Sequence, residues 1–216
     1  MSTENTDTRN TEFMLTIYNQ ITEETRRLRT EGLSRLNFFI TITSSVLAGL
    51  IVLAQINTAN PRNTQFFSVG ALIFLILLGW NVFRFIVSRD ISTDLNIRAT
   101  GRINRYFSDR DPSIREYLTW QDHDEPTPWI TNNMSNLRGT AQSILSSLVA
   151  VVSGASIFFI TDNLIFALIG GVYMFVVALV SLQIYAQQRF KKATERARSQ
   201  IRFPKIIIKQ EENPTV

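Results

Sequence analysis

The sequence predicts an all-α integral membrane protein, with four transmembrane helices and helical extensions on the cytoplasmic side. Three observations carry that expectation. Apolar residues are pooled into four blocks, 37–56, 66–88, 141–160 and 164–186, each near the ~20 residues a helix needs to cross a ~30 Å hydrocarbon core. None of the blocks shows the polar face that a helix packed on a soluble core presents every third or fourth residue. The basic residues, finally, fall almost entirely into three segments outside the blocks. At 216 residues and 45% hydrophobic content the totals alone would also suit a soluble domain, so the distribution decides.

Charge placement predicts the threading. Of the 22 Lys and Arg, five lie in residues 1–36, seven in 89–140 and eight in 187–216, leaving Arg62 between the first two blocks and Arg84 within the second. The connector Thr161-Asp162-Asn163 has none. Basic residues stay on the cytoplasmic side, so both termini and the central segment are expected there, in a multi-pass protein of the plasma or inner membrane. The organisation that follows is an amphipathic N-terminal helix (1–36), a transmembrane hairpin (37–88), a cytoplasmic helical region (89–140), a second hairpin (141–186) and a basic helix and tail (187–216). The first block does not read as a signal peptide, because a polar 36-residue segment precedes it and no small-residue cleavage pattern follows.

In the first segment Met14, Ile17, Tyr18, Ile21 and Leu28 recur at helical intervals, and Glu23 precedes Arg27 by four residues, the favourable order for a helical ion pair. Gly32 marks a candidate bend. The apolar stripe must bury against a second subunit, another cytoplasmic helix or the lipid surface.

The first block contains Thr41, Ser45 and Gly49 at i, i+4 and i+8, and the third repeats the spacing with Ser146, Ala150 and Gly154. The fourth adds Ala167 and Gly171. In lipid, helices associate through close backbone approach rather than the hydrophobic effect, so small residues on one face read as packing seams. A polar pore lining is the alternative, and it needs several subunits around an axis. Ser44–Ala48 resembles Ser146–Ala150 at an offset of 102, which admits an ancestral duplication of a hairpin.

The second block carries Arg84 with Asn81 one turn earlier, near its cytoplasmic end. Arg84 there is a headgroup anchor by snorkelling or a gating residue. The helix is expected to continue inward through Ile91, Leu95 and Ile103, with an Asp94–Arg98 pair. Arg98, Arg102 and Arg105 fall at i, i+4 and i+7, a basic stripe able to contact phosphates or a partner. Asp111-Pro112 reads as N-cap and first position of a new short helix.

Asp122, His123, Asp124 and Glu125 supply oxygen and nitrogen donors, but adjacent residues do not converge on one ion without a dedicated loop, and no second histidine completes a zinc site. A solvated acidic loop is the expectation, with Trp120 and Trp129 as interfacial or packing residues. Asn133-Met134-Ser135 fits a glycosylation sequon on the wrong side of the membrane. The fourth block continues as a helix with Phe190, Ala193, Ala197 and Ile201 on one stripe, ended by Pro204, before a strand-like KIIIK at 205–209 and a loose tail. The tail holds most of the net +4 charge, which suits anionic lipid better than nucleic acid.

The sequence has no cysteine and one histidine, and the spans hold no His, Lys, Asp or Glu to activate a nucleophile or carry a proton. No catalytic, cofactor-binding or metal residue is expected, and no enzyme. Two function classes remain: an oligomeric channel or membrane-perturbing effector controlled through its cytoplasmic helices, or a non-conducting scaffold or sensor that recruits a soluble cytosolic partner. In either case a homo-oligomer in the lipid bilayer is expected, from the N-terminal stripe and the surplus of small-residue faces.

Overall fold

The structure is a computed structural model that describes residues 2–56, 61–117, 121–126 and 136–205. Its elements are α1 (Ser2–Ile56), α2 (Pro61–Arg110), a 3-10 turn (Pro112–Tyr117), α3 (Asn136–Thr161) and α4 (Leu164–Arg198). Among the described residues there is no strand, and all four α-helices are long and apolar enough to cross a membrane. The Trp120, Trp129, sequon and tail expectations, and all of KIIIK but Lys205, lie outside the described residues.

The chain divides into two compact units. The polar unit comprises Met1–Arg27, Ile91–Pro128 and Lys192–Val216, and the apolar unit Leu28–Asp90 and Trp129–Lys191. Helices α1, α2 and α4 each contribute residues to both.

The ends of the elements follow from local chemistry. Pro61 opens α2 at the position where its missing N–H costs nothing. Asp111 caps the 3-10 turn as expected: its Oδ1 accepts from the Ser113 amide at 3.0 Å and the Ser113 hydroxyl at 2.6 Å. The α3–α4 connector is two residues long, Asp162 and Asn163. Asp162 terminates α3 in the left-handed region (φ 48°), which Asp tolerates better than most residues. Asn163 then caps α4, accepting from the Ile165 amide at 2.9 Å.

Gly32 does not break α1, which runs through it as one helix. A side chain at this position would meet the Arg89 guanidinium, so the glycine makes room for a charged neighbour instead of a bend. Arg89 in turn donates to Asp90 at 2.6 Å, and Arg138 of α3 approaches the same carboxylate at 3.8 Å. The Arg138 guanidinium also lies over the Phe190 ring of α4, 4.9 Å from its centroid. All four helices of the apolar unit thus meet at one buried ion cluster.

Farther along the bundle, Gly79 of α2 admits Phe39 of α1 and Leu145 of α3: a Cβ there would lie 2.6 Å from the Phe39 ring and 3.1 Å from the Leu145 side chain. Trp80 and Phe83 of α2 pack on Tyr185 of α4, with centroids 4.9 and 6.3 Å apart. Near the α3–α4 connector, α3 and α4 approach backbone to backbone. A Cβ on Gly154 would stand 3.1 Å from the Ala167 carbonyl oxygen, and one on Gly171 3.2 Å from that of Ala150.

Gly171→Val adds a branched side chain where the opposing group is backbone and does not yield. It is expected to destabilise the apolar unit by about 1–3 kcal/mol, read as a lower unfolding midpoint in detergent. Gly49→Val, at a position with nothing within 4 Å in the chain, is expected to change the protomer's stability by no more than about 0.5 kcal/mol.

Candidate functional site

The densest polar arrangement in the polar unit is built around Asp124, which is fully buried. Its carboxylate accepts from the Arg102 Nε at 2.8 Å, from the Arg202 amide at 3.0 Å and from the Phe203 amide at 2.9 Å. Its own backbone N–H donates to the Phe203 carbonyl, and its carbonyl accepts from the Arg98 Nε at 2.8 Å. One residue in an irregular segment therefore ties α2 to the chain that follows α4. Glu125 extends the junction by accepting from the Lys205 amide at 3.0 Å. The expected solvated acidic loop is corrected by this arrangement: the carboxylate is buried because it has donors from two other segments.

The basic stripe is also placed differently from a phosphate clamp. Arg98 is buried, and its second guanidinium nitrogen donates to the Ala197 carbonyl at 3.0 Å, while Arg102 donates to the Gln200 carbonyl at 3.0 Å. The Ala197 carbonyl belongs to the last turn of α4, where helical N–H partners run out and the helix dipole is negative. The two arginines therefore cap that end of the helix, and Arg98 does so in preference to the expected pairing with Asp94. Arg105 is bound to Asp109 at 2.9 Å and lies 3.8 Å from Asp122. The same junction ends α4 at Arg198, ahead of Pro204, since the chain must turn to present the Arg202 and Phe203 amides.

Gly101 completes the geometry. A side chain there would overlap the His123 carbonyl, so the 121–126 segment crosses directly over the α2 backbone. Among the described residues no three His, Asp or Glu side chains gather as a metal site. A separate cavity of about 160 Å³ lies between Tyr18, Ile21 and Thr25 of α1 and Ile97 and Thr100 of α2. The Asn96 amide donates to the Thr25 hydroxyl at 3.3 Å beside it. The N-terminal apolar stripe is thus half-covered by the chain's own α2.

In the apolar unit the two small-residue triplets part company. Thr41, Ser45 and Gly49 are exposed, and Thr41 donates to the Asn37 carbonyl of its own helix at 2.9 Å. Ser146 is buried, and Ala150 and Gly154 face α4. A groove of about 610 Å³ flanks that contact, lined by Ala150, Gly154, Phe158, Ala167, Gly171 and Phe175 among others. Asn81 and Arg84 are both exposed, and Asn81 donates to the Leu77 carbonyl at 3.1 Å. Ser44 is exposed while its counterpart Ser146 is buried, so the matched segments of the two hairpins sit in different surroundings. Sequence reading singled out neither Gly101 nor the ion cluster of Arg89, Asp90 and Arg138. A glycine inside a charged helix, at a cost of ~1 kcal/mol against alanine, was the available signal for the first.

Burial is the largest influence on the Asp124 carboxyl and pushes it up, but the Phe203 and Arg202 amides and the Arg102 guanidinium together outweigh it. They hold the group below the ordinary carboxylate value of 3.8. A depressed folded value means that the stabilisation is complete above the unfolded value and is lost as pH falls through the folded one. Hydrogen-exchange protection of the Arg202 and Phe203 amides is therefore expected to hold down to about pH 3.8 and to fall below it. Asp124→Asn is expected to weaken the junction by about 1.5–3 kcal/mol at neutral pH and to remove that acid limb. Gly101→Ala is expected to lower protection of the same two amides at every pH.

Set against known proteins, the chain matches no family model, no curated protein and no solved structure.

Proposed function

We propose that the chain is an oligomeric membrane channel, or an effector that perturbs the membrane, controlled through its cytoplasmic helices. The observation that carries this reading is the continuity of α1, α2 and α4 between an apolar unit of membrane-crossing length and a polar unit held by the Asp124 junction. A helix transmits rotation and axial displacement because every turn is tied to the next by backbone hydrogen bonds. Three continuous helices give a ligand or partner acting on the polar unit a mechanical route to the bilayer. The positive-inside bias supports placing the polar unit and both termini in the cytoplasm. The exposed Thr41–Ser45–Gly49 face, which the chain leaves uncovered, supports contact between copies within the membrane.

A non-conducting scaffold is favoured by a different observation. Phe13, Leu15 and Leu95 of the polar unit are each at least half exposed, the kind of surface a soluble partner covers.

Reconstitution of the full chain in liposomes separates the two. A channel is expected to pass ions, with flux reduced at least about tenfold by Thr41→Leu combined with Ser45→Leu and altered by Asp124→Asn, a threshold equivalent to ~1.4 kcal/mol in an equilibrium. Absence of flux at any pH or potential, with a cytosolic protein retained through residues 89–140, would overturn conduction in favour of the scaffold.

A further inference from the structure

The cavity between α1 and α2 lies within the polar unit, and the Asp124 junction makes no use of it. It measures about 160 Å³, and Gln121 of the irregular segment lines it together with the two helices. Ile21 and Ile97 give it apolar surface beside the Tyr18 ring. A cavity of about 150 Å³ accommodates one benzene ring, so this one admits a single six-membered ring with little to spare.

The polar groups around it are unevenly supplied. Thr22, Thr25 and Thr100 line the cavity, and each hydroxyl donates to the carbonyl four residues earlier on its own helix, at 2.8–3.0 Å. A hydroxyl has one hydrogen, so these three oxygens have lone pairs to offer and no further donor. Thr25 already receives one donor, the Asn96 amide at 3.3 Å. Gln121 is the opposite case: its side-chain nitrogen is buried and has no acceptor in the chain. A buried N–H left in that condition is costly. Among the described residues no charged side chain lines the cavity. Arg98 and Arg102 of the same helix are committed to the end of α4 and to Asp124. An ionised ligand would lose water here and gain no counter-charge.

We propose that this cavity binds a small neutral ligand bearing a lactam or carboxamide group, whose N–H donates to a threonine oxygen and whose carbonyl accepts from the Gln121 Nε2. Such a group brings a donor and an acceptor together without charge, which is the combination the walls lack. A ligand seated there touches α1, α2 and the segment that carries Asp124, and so clamps the N-terminal helix to the junction. The site stands whether or not the chain conducts; its part in control rests on the function proposed above.

The probe is δ-valerolactam, a six-membered cyclic amide. Full-length protein in detergent, labelled at its isoleucine methyl groups, is titrated with it and followed by NMR. Saturable shifts at Ile21 and Ile97 with a dissociation constant at or below ~10 mM are expected for a ligand this small. Ile73 and Ile165 of the apolar unit are expected to show no saturable shift. The N-methyl lactam lacks the donor, and piperidinium is the same ring carrying a charge; each is expected to bind at least about tenfold more weakly. Thr100→Val and Gln121→Met are each expected to weaken δ-valerolactam by about three- to tenfold, with the other isoleucine methyls of the free protein unmoved. Absence of saturable shifts at Ile21 and Ile97 overturns the site. A smaller ratio for either analogue overturns the ligand class, and unchanged affinity in both variants overturns the assigned contacts. Ion flux through liposomes, with and without saturating lactam, keeps the two readings apart. No flux in either condition overturns conduction and leaves the site standing, whereas flux that ignores the bound lactam overturns the site's part in control.

Discussion

The polar unit depends on finding donors for one buried carboxylate. Asp124 sits in a segment with no regular structure, and it is tolerable there only because a guanidinium and two backbone amides point at it. Those amides belong to residues 78 and 79 positions later, so the hydrogen bonds fix the course of the chain beyond α4 as well as the loop. Arg98 and Arg102 close the same circuit from α2, using the end of α4 as their acceptor. Each member solves another's problem: the helix end loses orphan carbonyls, Arg98 loses solvent but gains acceptors, and the carboxylate is held in its ionised form by donors from the chain. Removing any one leaves a buried charge or dipole with nothing to answer it, which is why such circuits act as a unit.

The apolar unit uses a different economy of space. Where helices must approach, a glycine is opposed by a ring, a carbonyl or another glycine, as at Gly79, Gly154 and Gly171. Aromatic groups fill the wider separations, as Trp80, Phe83 and Tyr185 do between α2 and α4. In a bilayer the hydrocarbon offers an apolar side chain nearly the same environment as a partner helix, so contact geometry has to supply the discrimination that hydrophobicity no longer does. The outward face of α4, with Ile165, Ile169 and Val176 exposed, carries no such detail.

Much of the fold was legible from the sequence. The four apolar blocks, the short connector between the last two, the Asp111 cap and the continuation of α2 and α4 past their apolar stretches all follow from periodicity and end chemistry, which are local. What was not legible is long-range. Asp124 looked solvated because nothing near it in sequence supplies a donor; its partners are at Arg102, Arg202 and Phe203. Arg98 and Arg102 looked like a phosphate stripe because spacing reveals a shared face without revealing what faces it. Thr41 and Ser146 belong to triplets with the same spacing, yet one is exposed and the other buried. Spacing specifies a stripe, and only packing specifies which stripe is inside.

The cluster of Arg89, Asp90 and Arg138 shows why such placement is worth its cost. A buried ion pair is weak evidence for stability, because desolvation offsets most of the attraction. It is strong in another respect, since it penalises misalignment. Sliding α3 by one turn, about 5.4 Å, would carry Arg138 away from both Asp90 and the Phe190 ring, leaving a charge buried among apolar side chains. Displacing α1 would put a side chain where Gly32 now admits Arg89. Apolar surfaces alone would accept many such slips at little cost. The cluster therefore fixes the register of four helices that apolar contact alone would leave free to slide.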